Sequence, residues 1–184
     1  MIYLASQSPR RKQLMELTDF QFTVYPTDVS ESGTEGMNPK ETVEYLSSIK
    51  ADALSDKINT NDIIIGSDTV VAFENKILGK PGNKKEAFSM LKMLSGNIHS
   101  VFTGVTLIKN NEKITFSCET KVEFFELSDE EIENYIETAE PYDKAGAYGI
   151  QEKGGLFVKA VHGDFFNVVG LPIAKLSREL RKLF

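Results

Sequence analysis

The chain has 184 residues, of which 41% are hydrophobic and 26% charged, an ordinary composition for a globular protein with one substantial core. A net charge of −6 argues against a broad nucleic-acid-binding surface. The single cysteine, Cys118, excludes an internal disulfide and agrees with a reducing compartment. No apolar run approaches the length of a membrane span. We therefore expect one domain over residues 1–184, in the cytoplasm, with neither a membrane nor a nucleic-acid partner.

The first motif is a polar segment between a predicted strand and a predicted helix. The apolar run Ile2–Ala5 precedes Ser6-Gln7-Ser8-Pro9-Arg10-Arg11-Lys12, in which Ser8 suits the N-cap and Pro9 the first helical position. The three cations then fall in the first turn, where the helix dipole disfavours each of them by roughly a few tenths of a kcal/mol. A bound anion such as phosphate would explain this placement. The alternative is a helix that begins basic without a ligand.

A strand, an acidic loop and a helix follow. Alternating apolar residues over 20–24 predict a half-buried strand, and the loop 28–38 carries Glu31. Asn38, followed by a proline and then by a glutamate three residues on, predicts a capped helix start. We expect Lys50, on this helix, to lie at its edge or exposed to solvent.

A carboxylate stands between two apolar runs. Ile63–Gly66 and Val70–Phe73 predict two buried strands, and Ser67-Asp68-Thr69 links them. Burying Asp68 without a partner would be costly, so we expect its side chain to meet a cation, a metal ion or several donors. The alternative is a polar kink in which Asp68 bonds to nearby backbone.

The rest of the chain alternates predicted helices and strands. A rigid Gly-Lys-Pro corner could aim Lys80 at a ligand, and capping boxes predict helices after Asn83 and Ser128. Leu156–Val158 and Phe166–Val169 predict paired strands. This alternation favours an α/β fold with a mixed, twisted β-sheet flanked by helices.

The segment Asp143–Gln151, with the sequence DKAGAYGIQ, is rich in small residues. Two glycines and two alanines around Tyr148 indicate that the backbone approaches another group closely. Asp143, Lys144 and Gln151 supply polar groups that could bind a substrate. The alternative is a packed turn without a ligand.

The chain offers cations and carboxylates rather than a histidine or cysteine centre. Two histidines far apart in sequence argue against a His-rich zinc site, and Cys118 lacks basic neighbours that would favour a thiolate. Cations for a polyphosphate, with carboxylates for Mg²⁺ and for water activation, are what metal-assisted phosphate-ester cleavage requires. Composition and spacing assign no separate roles to the carboxylates Glu31, Asp68 and Asp143.

Together these motifs resemble the Maf family of nucleoside triphosphate pyrophosphatases, in family order and over essentially the whole chain. They are Ser6-Gln7-Ser8-Pro9-Arg10-Arg11, Gly66-Ser67-Asp68-Thr69, Gly79-Lys80-Pro81, Leu94-Ser95-Gly96 with His99, Thr103-Gly104-Val105, and Asp143–Gln151. The last of them resembles the subgroup that acts on dTTP and UTP. The resemblance implies a fold like that of inosine triphosphate pyrophosphatases, with two lobes around a cleft and a homodimer. It also implies hydrolysis between the α and β phosphates with Mg²⁺ or Mn²⁺.

The resemblance also implies roles for individual residues. Asp68 matches the proton acceptor that activates water, and Glu31 matches an acidic position that helps to hold metal, for which Asp68 is the second candidate. The remaining matches are positions linked to substrate choice (Arg10, Thr69, Gln151), phosphate contacts (Ser8, Arg11, Lys50, Lys80) and polar groups of the substrate-binding loop (Asp143, Lys144). One departure is Glu152, where relatives usually have glycine. A negative side chain there could change the base preference or the shape of the loop.

Two interpretations follow from the sequence. The first is a house-cleaning pyrophosphatase for dTTP, UTP and modified pyrimidine triphosphates. The second is a nucleotide-binding regulator of cell division and septum formation that binds a triphosphate without turnover. Asp68 distinguishes the two interpretations, because a regulator that does not hydrolyse the triphosphate would not need a well-placed general base.

Overall fold

The computed structural model describes residues 1–184 and forms an α/β fold. The strands are β1 (Ile2–Ala5), β2 (Phe22–Val24), β3 (Ile63–Phe73), β4 (Lys76–Leu78), β5 (Ile98–Lys109), β6 (Glu112–Phe124) and β7 (Val158–His162). The α-helices are α1 (Pro9–Met15), α2 (Pro39–Ser55), α3 (Lys84–Leu94), α4 (Asp129–Ile136), α5 (Phe165–Val169) and α6 (Ile173–Arg181). Short 3₁₀ helices cover Glu140–Asp143, Ala145–Ala147 and Lys153–Phe157. None of the helices combines the length and the apolar composition needed to cross a bilayer.

The strands form one seven-stranded mixed sheet. Its order is β2-β1-β3-β5-β6-β7, and β4 pairs with β3 off this path. β1 runs parallel to β2 and to β3, with Leu4 opposite both Val24 and Ile65. β3 and β4, like β6 and β7, are antiparallel. The mixed α/β sheet expected from the sequence is confirmed.

The chain divides into two compact units. Unit 1 contains Met1–Thr69, Thr103–Cys118 and Gly170–Phe184, and unit 2 contains Val70–Phe102 and Glu119–Val169. Ala5, Ala51, Leu54, Ile64 and Ile108 form a core cluster of unit 1. The core of unit 2 is larger and more aromatic, and includes Phe124, Tyr135, Tyr148 and Phe157 among many aliphatic side chains.

The predicted helix starts are confirmed by their hydrogen bonds. Asn38 and Ser128 each close a complete capping box, and Ser8 caps α1 ahead of Pro9. Asn83 also caps its helix, but the second half of that box differs because the carboxylate of Glu86 accepts from the Gly82 N–H instead. Local sequence therefore defines where most helices begin.

Three predictions of secondary structure are wrong. Leu156 and Phe157 belong to a 3₁₀ helix, and the strand that starts at Val158 pairs with β6 instead of with residues 166–169. Residues 63–73 form a single strand, because Asp68 and Thr69 find polar partners on either side of it and need no kink. Residues 165–169 form helix α5 rather than a strand. There the Phe166 N–H donates to Asp164 Oδ1, and the buried Asn167 side chain donates to the Val101 carbonyl. These tertiary contacts outweigh the strand preference of the two valines.

Helix α2 packs directly on strand backbone at two glycines. A Cβ built on Gly104 would lie 2.1 Å from the Val43 carbonyl oxygen, and one built on Gly66 would lie 2.2 Å from the Ser47 carbonyl oxygen. Any side chain at either position would therefore push α2 off the sheet.

We expect Gly104→Ala to lower the free energy of unfolding by roughly 1–3 kcal/mol, because the added methyl group overpacks a backbone contact. Gly79→Ala is the matched control, since a Cβ at Gly79 would meet nothing within 4 Å. Urea denaturation of the three proteins measures the effect. Equal losses in both variants would contradict the packing argument.

A histidine is buried in the aromatic core of unit 2. His99 is 2% exposed, its Nε2 lies 2.8 Å from the Tyr148 hydroxyl, and its ring meets Phe124 edge-on. Burial lowers the pKa of His99 from 6.5 to about 4. Between these pH values the unfolded chain binds a proton that the folded chain does not, so stability falls as the pH falls.

We expect wild type to lose about 3 kcal/mol of stability through His99 between pH 6.5 and pH 4. His99→Gln should lack this component, while His162→Gln, at an exposed histidine, should keep it. Denaturation curves at several pH values measure the difference between the variants. The same pH dependence in His99→Gln and wild type would refute the assignment.

Candidate active site

The buried carboxylate of unit 1 is paired with a lysine. Asp68 is 8% exposed, and its Oδ1 accepts a hydrogen bond from Lys50 Nζ at 2.5 Å. The same ammonium donates to Glu31 Oε1 at 2.8 Å. The expectation that Asp68 meets a cation is confirmed. Of the two alternatives for Lys50, the edge position agrees with the structure, because its side chain is partly buried, with 15% exposed, between the two carboxylates.

The close contact of α2 with β3 produces this pairing. The backbones meet at Gly66, whose built Cβ would lie 2.2 Å from the Ser47 carbonyl oxygen and 2.7 Å from the Ala51 nitrogen. Lys50 lies between those two helix positions. Asp68 lies two residues beyond Gly66 and therefore points to the same face of the strand. A long ammonium side chain on the helix can then reach the carboxylate.

A second set of polar groups surrounds the guanidinium of Arg11. Arg11 Nε donates to the Gly170 carbonyl at 2.9 Å, Nη2 donates to Thr69 Oγ1 at 3.1 Å, and Nη1 donates to Ser6 Oγ at 3.4 Å. Thr69 Oγ1 also lies 2.9 Å from Thr103 Oγ1. Arg11 thus fixes the residue that follows Asp68 in β3.

Electrostatics couple Arg11 to the carboxylate pair. Burial lowers the pKa of the Arg11 guanidinium below its ordinary value, and the negative charge of Asp68 opposes that shift. The positive charge of Arg10 also lowers the pKa of Arg11, while Glu31 raises it. Asp68 therefore balances part of the positive charge that α1 concentrates at its start.

The start of α1 is organised by two serines. Ser8 Oγ accepts from the Arg11 N–H at 3.5 Å, and the Ser8 N–H donates to Ser6 Oγ at 3.1 Å. Ser6 therefore contacts both the N-cap and the Arg11 guanidinium. Arg10 lies half-buried on the same turn.

Two carboxylates of unit 1 could hold a divalent cation. Asp68 Oδ1 and Glu31 Oε1 lie 2.5 and 2.8 Å from one nitrogen, Lys50 Nζ, so both face one position of positive charge. Proteins commonly hold Mg²⁺ with one or two carboxylates while substrate phosphates and water supply the other ligands. No cluster of three or more His, Cys, Asp or Glu side chains suited to a metal ion occurs in the chain. A hard cation held by this pair would need its remaining ligands from water and substrate oxygens.

Unit 2 brings together three other residues considered from the sequence. Lys144 is buried, and its ammonium donates to Asp143 Oδ1 at 2.7 Å and to the Glu140 carbonyl at 3.0 Å. Glu152 Oε1 lies 3.3 Å from the same nitrogen. Three oxygen atoms thus surround Lys144, and the carboxylates of Asp143 and Glu152 share its one positive charge.

The small residues of Asp143–Gln151 approach the protein itself. A Cβ at Gly146 would lie 2.9 Å from a Val71 methyl group, and one at Gly149 would lie 2.6 Å from Lys144 Cε. Gly146 also has a left-handed φ of 71° and donates its N–H to the Gly79 carbonyl at 3.1 Å. The close approach expected from the sequence is therefore explained by the packing of unit 2. Gln151 and Lys80 have exposed side chains.

Sequence reasoning missed several partners of these side chains. Gly170, Thr103 and Ser6 contact the Arg11 and Thr69 network, yet only Ser6 and Thr103 belonged to recognised motifs. Gly170 carried a signal, a glycine just before Leu-Pro, and it adopts φ 126°. Glu140 carried none, since a glutamate between an alanine and a proline is typical of many surface turns.

The fold and these polar groups define a class of α/β protein in which a mixed sheet supports a buried carboxylate among cations and hydroxyls. Residues 1–183 match the family described as Maf-like protein, and the chain belongs to this family. The resemblance expected from the motifs is confirmed.

Curated relatives match nearly the whole chain. The dTTP/UTP pyrophosphatase of Bacillus pumilus is 49% identical over 97% of this chain and 94% of its own length. The dTTP/UTP pyrophosphatase of Geobacillus sp. is 48% identical over 99% of this chain and 97% of its own.

A solved structure shares the fold. The Ham1 protein of Staphylococcus aureus aligns with a TM-score of 0.51 at 17% identity, over 97% of this chain and 98% of that one. At this identity the likeness concerns the fold alone, and it agrees with the α/β architecture that the resemblance implied.

We expect Lys50→Met to lower the free energy of unfolding by roughly 3 kcal/mol, because it leaves the Asp68 charge buried without its ammonium. The double variant Lys50→Met/Asp68→Asn should recover much of that loss, since the buried charge is removed as well. Lys113→Met, which breaks an exposed pair with Asp52, should cost less than about 1 kcal/mol. A double-mutant cycle by urea denaturation measures the coupling, and simple additivity would contradict it.

Proposed function

We propose that this chain is a nucleoside triphosphate pyrophosphatase that hydrolyses dTTP, UTP and modified pyrimidine triphosphates to the monophosphate and pyrophosphate. The observation that carries the proposal is the buried Asp68 carboxylate, held 2.5 Å from the Lys50 ammonium. Membership of the Maf-like family and the names of full-length relatives support the same reaction. Removal of unwanted nucleotides before polymerases use them would be its role in the cell.

Asp68 is the residue suited to activate water. In the proposed step, a water oxygen attacks the α-phosphorus and its proton passes to the Asp68 carboxylate. The bond from the α-phosphorus to the oxygen that bridges it to the β-phosphate then breaks, and pyrophosphate leaves with that oxygen. The hydrogen bond from Lys50 at 2.5 Å fixes the orientation of the carboxylate.

The cations of unit 1 suit the polyphosphate. Arg11 uses one N–H from each of its three nitrogens for the protein, so each terminal nitrogen retains one N–H for a phosphate oxygen. Lys50 uses two of its three N–H groups for Glu31 and Asp68 and can offer the third to a phosphate oxygen. Ser8 and Arg10 lie on the same turn as Arg11. We also assign a phosphate contact to Lys80, which is exposed on unit 2.

A divalent cation, Mg²⁺ or Mn²⁺, belongs to the proposal. Glu31 and Asp68 would hold it, and when bound it would supply positive charge to the phosphate oxygens of the substrate. Assays without added metal, in the presence of a chelator, therefore form part of the test.

The base is assigned to Gln151 and its neighbours. A glutamine amide both donates and accepts, which suits the alternating donor and acceptor edge of uracil or thymine. Glu152, the departure beside Gln151, lies 3.3 Å from the Lys144 ammonium, which it shares with Asp143. The base panel below tests whether this negative side chain changes the preference.

The first experiment incubates the purified protein with a panel of standard and modified nucleoside triphosphates, with Mg²⁺, with Mn²⁺ and with EDTA. Chromatography separates monophosphate and pyrophosphate from diphosphate and phosphate. Monophosphate and pyrophosphate from dTTP and UTP would support both the proposed reaction and the pyrimidine preference. The same products from triphosphates of other bases would support the reaction and contradict the preference. Tight triphosphate binding without turnover would instead support the regulatory interpretation.

We expect Asp68→Asn to lower kcat at least about a hundredfold, because an amide cannot take up the proton of the attacking water. The nearly isosteric change should leave triphosphate binding largely intact. Asp52→Asn, at an exposed carboxylate on α2, serves as the control and should retain wild-type kcat. Normal turnover by Asp68→Asn would exclude Asp68 as the essential base.

The homodimer, implied by the resemblance, and the cytoplasmic location, expected from the composition, remain predictions. Light scattering of the purified protein would test the first, and cell fractionation would test the second.

A further inference from the structure

One carboxylate of unit 2 collects donors from two separate parts of the chain. Glu140 Oε1 accepts from the Tyr135 hydroxyl at 2.7 Å and from the Gly154 N–H at 2.9 Å, and Oε2 accepts from the Lys153 N–H at 3.1 Å. Tyr135 lies on α4 in the core, whereas Lys153 and Gly154 lie two and three residues after Gln151. The Glu140 carboxylate therefore connects the segment after Gln151 to helix α4.

The backbone held in this way is a compact turn over residues 149–155, hereafter the 149–155 turn. It consists of two successive turns: the Glu152 N–H donates to the Gly149 carbonyl at 3.4 Å, and the Gly155 N–H donates to the Glu152 carbonyl at 3.0 Å. A Cβ at Gly154 would lie 2.7 Å from the Tyr135 hydroxyl and 3.0 Å from the backbone of Gly149. Gln151 stands on this turn with its side chain exposed.

The hydrogen bond from the Tyr135 hydroxyl to Glu140 is present throughout the neutral pH range. Tyr135 is 5% exposed, and burial, followed by its hydrogen bond to Glu140, raises the pKa of its phenol. The hydroxyl therefore stays protonated at neutral pH and continues to donate. Two backbone N–H groups and one hydroxyl point at the two oxygens of Glu140, a set that only a carboxylate accepts in full.

We infer that Glu140 is a positioning residue: its carboxylate fixes the 149–155 turn and so holds Gln151 where it can read a pyrimidine base. The inference rests on the proposed function. Glu140 itself need not touch the substrate, because its three hydrogen bonds go to protein groups. A misplacement of about 1 Å in a binding group can cost up to a hundredfold in rate.

The test compares Glu140→Gln with Glu137→Gln, a matched control whose side chain is 65% exposed and paired with Lys84 on the surface. An amide at position 140 retains one acceptor oxygen and turns an NH₂ group toward at least one of the three donors. We expect kcat/KM for UTP to fall about tenfold, chiefly through KM, and the preference for UTP over GTP to narrow. Glu137→Gln should match wild type in both.

Gln151→Ala distinguishes positioning from general destabilisation. Gln151→Ala should also narrow the preference for UTP over GTP. The double variant Glu140→Gln/Gln151→Ala should narrow it no further, because both changes act through the contact of Gln151 with the base. Tyr135→Phe removes one donor of the three and should have a smaller effect. An unchanged preference in Glu140→Gln, or additive effects in the double variant, would overturn the inference.

Hydrogen exchange of the nucleotide-free proteins separates this inference from the proposed function. Amides of residues 149–155 should exchange faster in Glu140→Gln than in Glu137→Gln, whether or not the chain turns over a nucleotide. A wild-type chain that cleaves no triphosphate would refute the proposed function and the role of Gln151, while the exchange result would still decide whether Glu140 anchors the turn. Equal exchange in the two variants would refute the anchor.

Discussion

The candidate chemistry of unit 1 depends on one steric constraint, the contact of helix α2 with bare strand backbone. Gly66 and Gly104 allow carbonyl oxygens of the helix to come within 2.2 and 2.1 Å of where a Cβ would stand. At that distance a lysine on the helix reaches a carboxylate on the strand, and the pair can be buried together. Had either position carried a side chain, the helix would lie further out. Asp68 would then have to find another partner or an exposed position.

The same pairing explains how a central strand can carry polar residues without breaking. Successive side chains of β3 point to opposite faces, and each face supplies a partner. Asp68 meets Lys50 on α2, while Thr69 meets Arg11 and Thr103. Charge is balanced across the strand as well, because Asp68 opposes the lowering of the Arg11 pKa by burial. Polar residues that are satisfied in this way favour one register, since a shift by one residue would exchange the two faces.

Local chemistry made much of the fold predictable, and long-range chemistry accounts for what was missed. Capping residues such as Asn38 and Ser128 act within one turn of helix, so sequence alone located their helices. Helix α5 was missed because its decisive contact, from Asn167 to the Val101 carbonyl, spans 66 residues. The pairing of Asp68 with a cation was foreseen from the cost of burying a charge. That the cation would be Lys50 was not, because the glycine contact that brings α2 close leaves no periodic signal.

The two units use their charged residues differently, and this bears on how the proposed reaction could be selective. In unit 1 the polar groups retain capacity for a ligand, as Arg11 does with its remaining N–H groups. In unit 2 the Lys144 ammonium is surrounded by oxygen atoms of the protein. The Glu140 carboxylate accepts hydrogen bonds from the Tyr135 hydroxyl and from two backbone N–H groups. Those charges hold a turn together. A single amide side chain such as Gln151 contributes little discrimination when its backbone is mobile, because ordering it would offset the hydrogen bonds gained. When hydrogen bonds to charged residues already hold the turn in the free protein, its backbone does not lose this conformational freedom when the nucleotide binds.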